Sequence, residues 1–489
     1  MNRLPLFLPT VLAALLGLGG CATAPINPPV THSDQSAGYR FENRAQYARN
    51  KQDIVVLAFS GGGTRAAAFS YGVLEALRDT EVIGDNGQRE RLLDSVDVIT
   101  GVSGGSFTAL AYGLYGDRLF SEYEQRFLKR NVQGELVSRA LNPVFWGPLS
   151  SPYWGRSELA AELYDEILFN GATFADLQRG SGPMIVASAT DLASGARFYF
   201  TQKMFDILCS DVSDVRLSRA AASSSGVPVV LSPVTINNYA GTCGYKEPPF
   251  LALAEKSADV ARPAARAIQE VKELQYYENG KDRPYLHLVD GGVSDNLGMR
   301  EILVILEELE ALHLEGLPTP LDHAKRLAVF VVNSLSTPPL DWDQKRTAPD
   351  TLDVLLQATG VPIDHYSYEA VELLRDTAAR WKLLRAIRDS GVIPENDKRD
   401  PVLAEVERVP NLEVYVINVS FAELKDATER AYLNEQPTSF VLSSEAVDRL
   451  RAAAGRIVLE SPDFQRYLKA LGDRVVKTQT LSGKVAPTP

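Results

Sequence analysis

The sequence predicts an α/β fold with a mostly parallel central sheet and helical insertions. Three features predict it. Short apolar runs such as "DIVVLAF" and "RLAVFVVNSL" recur from residue 53 onward. Longer stretches with helical periodicity lie between them. Glycine-rich turns, "SGGGTR" at 60–65 and "GVSGGS" at 101–106, each join a strand pattern to a helix pattern. Apolar strands that alternate with helices read as a parallel sheet, because the crossover helices cover both of its faces.

The elements follow in order. "MNR" is a short positive start, and "LFLPTVLAALLGLGG" is an apolar run ending in small residues. Together residues 1–20 read as a secretory leader. "LGGC" resembles a bacterial lipobox, which implies lipidation at Cys21; the alternative is an ordinary signal peptide with a coincidental cysteine. Ala22 beside it resembles an outer-membrane sorting signal more than an inner-membrane retention signal, so the expected location is the bacterial cell envelope, lipid-anchored at the outer membrane and facing the periplasm. Residues 21–50, rich in Pro, Ser, Asn and Gln, read as a flexible tether. The body spans 51–480 and a tail 481–489. Within the body, "DIVVLAF" is a strand and "TRAAAFSYGVLEALRD" a helix. "SVDVIT" is a strand and "GSFTALAYGLY" a helix. "GPMIVASATDL" and "ARFYFTQ" form a strand pair turning at Ser194-Gly195. "YLHLVDGG" is a strand before the helix "MREILVILEELEALHL". "RLAVFVVNSL" and "LEVYVINVSF" are late strands. The stretch "SSEAVDRLRAAAGRIVLESPDFQRYLKAL" is helical from a serine cap. Helical insertions are expected at about 116–175, 245–283 and 340–400. The first is rich in aromatic residues, including Phe145, Trp146, Tyr153 and Trp154, which read either as a lid or interfacial contact or as insertion core.

With 45% hydrophobic and 23% charged residues the chain is globular. A net charge of −12 argues against a nucleic-acid partner, which would need a basic surface. No stretch after the leader is apolar for the roughly 18 residues that a spanning helix needs. Cys209 and Cys243 are candidates for a disulfide in an oxidising compartment, or for two separate buried thiols. The histidines, at 32, 287, 313, 323 and 365, form no metal-ligand cluster. Neither a metal nor an organic cofactor is expected.

Two glycine motifs carry the chemistry. Gly61-x-Gly63-x-x-Ala66 meets a loose dinucleotide pattern, but the next strand does not end in the acidic residue that a ribose needs. No lysine follows to make a phosphate loop. "GVSGG" is G-x-S-x-G between a strand and a helix, the context of a nucleophile elbow, with Gly101 and Gly105 making room around Ser103. The alternative is a glycine-rich strand-to-helix turn whose serine caps the helix. A nucleophilic serine needs a base, and no histidine stands in a tight loop after a strand. Asp290 does, in "VDGG".

"GGGTR", then "GVSGGS", then "VDGGVSDN", in that order, resemble the patatin-like phospholipases. "IVASATDLASGARFYF" and "SRAAASSSGVPVVLSPV" resemble further blocks of that family. The resemblance implies a patatin-like three-layer fold with the nucleophile on a strand-to-helix elbow. It implies a Ser–Asp dyad of Ser103 and Asp290, with no catalytic histidine. Gly61, Gly62 and Gly63 match the oxyanion loop, and Arg65 matches the basic residue after it, a candidate for substrate or oxyanion support. Ala66 departs from the glycine common there. The implied activity is hydrolysis of phospholipid or lysophospholipid esters, with membrane lipid as both substrate and anchor. A small-ester or thioester hydrolase and a non-enzymatic envelope lipid-binding or scaffold protein remain as alternatives.

Overall fold

The computed structural model describes residues 22–44, 51–84, 87–228, 230–247, 265–314, 316–337, 342–392 and 401–477. The leader, Cys21 and the tail lie outside the described residues, as do parts of the second and third expected insertions.

Strand β1 (Asp53–Phe59) leads into helix α1 (Gly63–Arg78). The short strands β2 (Glu81–Ile83) and β3 (Arg89–Arg91) precede β4 (Val96–Val102) and α2 (Gly104–Tyr115). Helices α3 (Val132–Leu141), α4 (Pro143–Leu149) and α5 (Arg156–Tyr164) come next. Strand β5 (Met184–Asp191) turns back into β6 (Arg197–Tyr199), and α6 (Leu217–Ser224) precedes β7 (Val234–Asn237) and β8 (Tyr285–Asp290). Then follow α7 (Met299–Leu314), β9 (Arg326–Asn333), α8 (Thr351–Ser390) and β10 (Glu413–Ser420). Helices α9 (Ser444–Glu460) and α10 (Pro462–Leu471) and strand β11 (Val475–Lys477) end the described chain.

The main sheet runs β10-β9-β1-β4-β5-β8-β7, with β6 also on β5. β10, β9, β1, β4 and β5 are mutually parallel, while β8, β7 and β6 are antiparallel to their neighbours. Strand composition explains the layers. On β1, Val55, Leu57 and Phe59 face one apolar core with α1, α2 and α9. Val56 and Ala58 face a second core with α7 and α8. β9 divides in the same way, with Phe330 and Val332 on the first face and Val329 and Val331 on the second. Helices on both faces require strands that are apolar throughout. The result is the expected three-layer α/β arrangement.

Several expectations are corrected. Residues 22–44 are not a free tether. Pro29 bridges to Ser210, and the Asn27 side chain donates to Asn237 O and accepts from Asn237 N–H. Tyr39 is fully buried, and its hydroxyl accepts from Ile185 N–H at 2.8 Å and donates to Ile185 O at 3.1 Å. Polar composition misled here because these side chains satisfy backbone groups of the body. The expected insertion at 340–400 contributes to the body, since Val371, Leu374 and Trp381 on α8 help to form the second core. The C-terminal helical stretch breaks at Ser461, which caps Pro462–Leu471 by accepting from Phe464 N–H. Pro462 has no N–H to continue the preceding helix and suits the first turn of a new one. The expected serine cap at Ser443 is present.

Replacing Tyr39 by Phe removes the acceptor for the buried Ile185 N–H. It should lower unfolding stability by about 1–3 kcal/mol, read as a lower thermal midpoint. An unchanged midpoint would restore the tether reading.

Candidate active site

Strand register brings the site together. β1 pairs with β4 so that Phe59 lies opposite Gly101. The glycine loop leaving β1 and the elbow leaving β4 therefore emerge side by side. β4 pairs with β5 at Val102–Ser188, and β5 pairs with β8 at Ala189–Asp290. Ser103 follows Val102, so it and Asp290 reach the same level on either side of β5. Two strand spacings separate their backbones by roughly 10 Å, and the side chains close the gap. Ser103 Oγ donates to Asp290 Oδ2 at 2.9 Å.

The elbow is strained in the way a nucleophile turn requires. Ser103 has φ 49° and ψ −119°, a region that side chains other than glycine rarely occupy. It stands where an N-cap would, yet its side chain makes no capping bond. This excludes the simple cap reading. Its own N–H donates to Ser224 Oγ at 2.8 Å, at the end of α6. A Cβ on Gly104 would sit 2.0 Å from Gly63 O, so the elbow and the loop touch backbone to backbone. Cβ atoms on Gly101 and Gly105 would lie 2.7 Å from Ser106 Cα and from Phe59, which explains the small residues on either side of the serine.

In the loop, Gly62 holds φ 138°, open only to glycine. Gly61 N–H donates to Asn296 O at 2.9 Å, so it is already committed and the oxyanion expectation narrows. Among the described residues, the N–H groups of Gly62 and Gly63 have no acceptor. Arg65 is buried, and it donates through Nε to Ser334 O and through Nη1 to Gln436 O, both at 2.7 Å. These carbonyls tie the start of α1 to the exit of β9 and to the 436 segment, so Arg65 positions the loop.

Asp290 ends β8 with only 8% of its surface exposed. Oδ1 accepts from Gly292 N–H at 2.8 Å, and Oδ2 takes the serine proton donor. Burial lifts its pKa from 3.8 to about 6, against the opposing pull of the bonds from Gly292 and Ser103. Such a carboxylate accepts a proton more readily than a solvated one and is still largely ionised at neutral pH. Among the described residues, no histidine hydrogen-bonds to Ser103 or Asp290. His287 Nδ1 pairs with Thr235 Oγ1, and His313 Nδ1 with Asp322.

Sequence reasoning missed Ser224 and Asn296 as supports of the site. Ser224 was visible only as one small residue in "AAASSSG". Asn296 ends the quoted "VDGGVSDN", but nothing in that pattern revealed that its carbonyl holds Gly61. Cys209 and Cys243 are joined in a disulfide, Cα to Cα 5.4 Å. Among the described residues, no group of His, Cys, Asp or Glu converges as a metal site, and no helix is long and apolar enough to cross a membrane.

The fold is α/β with a mostly parallel sheet, and its candidate site is a hydroxyl held on a strand-to-helix elbow against a buried carboxylate, beside a glycine loop. Residues 57–303 match the family Patatin-like phospholipase, about half of the chain, and the protein belongs to that family of lipid acyl hydrolases. Ser103, Asp290 and the glycine loop all fall within the matched stretch. No relative of the sequence was found among curated proteins. Human GIVD cytosolic phospholipase A2 is a distant structural likeness. In complex with methyl gamma-linolenyl fluorophosphonate it has 14% identity and a TM-score of 0.39, with 96% of this chain and 64% of that chain covered. A second structure of that enzyme gives 12% identity and a TM-score of 0.42, with 96% and 67% covered. VipD from Legionella pneumophila gives 12% identity and a TM-score of 0.26, with 87% and 68% covered. The chain thus spans about two thirds of the length of these proteins. Likenesses this distant carry no argument about the site.

The raised pKa of Asp290 has a stability consequence. The folded carboxyl holds its proton up to about pH 6, whereas the unfolded one loses it near 3.8. Stability therefore falls as pH rises between those values, and the full cost remains above them. At pH 8, Asp290→Asn should stabilise the fold by about 3 kcal/mol, and near pH 3 the gain should vanish, as read by denaturant titration at the two pH values.

Proposed function

We propose that the protein hydrolyses carboxylic esters of phospholipids or lysophospholipids through a Ser103–Asp290 dyad and an acyl-enzyme. The observation that carries this reading is the 2.9 Å hydrogen bond from Ser103 Oγ to a carboxylate buried at a strand end, with the serine on a strained elbow. Asp290 Oδ2 takes the Ser103 proton as Oγ bonds to the ester carbonyl carbon. Negative charge collects on the carbonyl oxygen, and the N–H groups of Gly62 and Gly63 are its donors. Each such donor is worth roughly 3–4 kcal/mol in a transition state. The C–O ester bond then breaks, and the leaving alcohol takes the proton from Asp290. Water attacks the acyl-enzyme, again giving its proton to Asp290. The fatty acid leaves and Ser103 recovers its hydrogen.

The proposed location is the periplasmic side of a bacterial outer membrane, with the chain anchored by lipid on Cys21. The "LGGC" sequence after an apolar run supports it, and the disulfide between Cys209 and Cys243 agrees with an oxidising compartment. Of the other readings, the small-ester or thioester hydrolase uses the same dyad and differs only in substrate.

A fluorophosphonate probe should label Ser103, as mapped by peptide mass spectrometry, and Ser103→Ala should abolish the adduct. Turnover should rise with pH to a plateau, half-maximal near pH 6, where Asp290 ionises. Asp290→Asn should lower kcat by about 10²–10⁴-fold and remove that rise. Turnover increasing with acyl length favours the phospholipase reading, and a preference for short esters favours the small-ester one. A well-folded protein with neither adduct nor turnover on lipid micelles would leave the lipid-binding role.

A further inference from the structure

The aromatic stretch 140–155 has a placement that the chemistry above does not use. Trp154 is buried, but Leu141, Val144, Trp146 and Tyr153 are 69%, 76%, 58% and 70% exposed. They lie at the end of α3, on α4 and in the turn after it. No charged residue occurs between Arg139 and Arg156. Water is a poor neighbour for so many exposed apolar side chains in one short stretch, and such a stretch marks a contact site.

The beginning of the described chain lies against the same turn. Ser151 Oγ donates to Ala22 O at 2.6 Å, and Ala24 N–H donates to Tyr153 O at 2.9 Å. Ile26, a few residues on, is 67% exposed. The described chain therefore begins against this face, at the residue that follows the proposed lipid-bearing Cys21.

The face also connects to the dyad. Gly226 O accepts from Asp290 N–H at 3.0 Å, and six residues later Ser232 Oγ accepts from Ser157 N–H at 3.1 Å, just beyond the turn. Six residues span at most about 20 Å. The face is thus within one short loop of the catalytic carboxylate.

We infer that α4 and the turn through Tyr153 form a membrane-docking face that inserts Val144, Trp146 and Tyr153 into a lipid bilayer beside the N-terminal attachment point. The occupant is a bilayer because an uncharged, Trp- and Tyr-bearing surface suits the interfacial zone, where such rings collect. With a chain charge of −12 and no charged residue between Arg139 and Arg156, apolar insertion drives the contact, and anionic headgroups do not. The choice of partner rests on the proposed lipid hydrolase reading, while the docking itself does not require turnover.

The test uses the full chain bound to phosphatidylethanolamine–phosphatidylglycerol vesicles whose acyl chains carry bromine, a short-range quencher of tryptophan. Trp146 should account for the quenched fluorescence. Trp146→Phe should lose that component, Trp342→Phe, at a tryptophan in the turn Trp342–Gln344 outside this stretch, should keep it, and raising the salt should leave it unchanged. Thermal midpoint checks that Trp146→Phe is folded, and turnover of a soluble short-chain ester, expected unchanged, reads the dyad separately. Vesicle-bound protein with no Trp146 quenching overturns the proposal, because the apolar leader alone would then hold the chain. Absence of vesicle binding also overturns it. So does shielding of Trp146 from a soluble quencher that grows with protein concentration without lipid, which would give the face to a second copy.

Discussion

Everything at the site depends on holding Ser103 at a positive φ. Such backbone costs about 1–3 kcal/mol and persists only where its surroundings over-determine it. Here they do. Ser224 accepts the serine N–H, and Asp290 accepts its O–H. Gly104 presses against the carbonyl of Gly63, so the turn cannot relax without moving the loop. The loop is fixed in turn by Asn296 and by the guanidinium of Arg65. Three strand ends and one helix end meet at a single residue, and the parallel register of β1, β4 and β5 makes that meeting possible.

The second constraint is dielectric. Asp290 sits behind β5 with little water, and this both raises its proton affinity and removes competing donors. An exposed aspartate would be a weak base for a serine hydroxyl, since its charge would be spent on solvent. In the proposed mechanism burial takes the place of the histidine that a serine usually needs, at a standing cost to the fold. The fold bears that cost with two apolar cores, one on each face of the sheet.

Much of this was legible because it is local. Buried strands announce themselves as apolar runs, and elbow and loop announce themselves as glycines between a strand and a helix. Asp290 was found by its place at a strand end before two glycines. What escaped was non-local. Nothing in "LHLVD" says that β8 runs antiparallel to β5, since direction is decided by the connection and not by the strand. Gly61 reads like its two neighbours until Asn296, more than two hundred residues later, takes its N–H. Residues 22–44 carry linker composition, and only their distant partners make them part of the body. The amphipathic signal of α8 is spread over 40 residues, so the side that meets the sheet was hard to see.

That N-terminal strap has a consequence for the order of assembly. Asn27 waits for Asn237, 210 residues away, and Tyr39 for Ile185, 146 away. Val30 and Ser33 bond to the carbonyls of Cys209 and Cys243, the two ends of the disulfide. A chain made from its N-terminus therefore presents the strap first and seats it late, after much of the sheet exists. Contacts of such long sequence separation are slow to form. Until they form, the segment lacks the groups that hold it to the body. When it docks, it links β5, β7 and both ends of the disulfide, so the first residues made are among the last to close the fold.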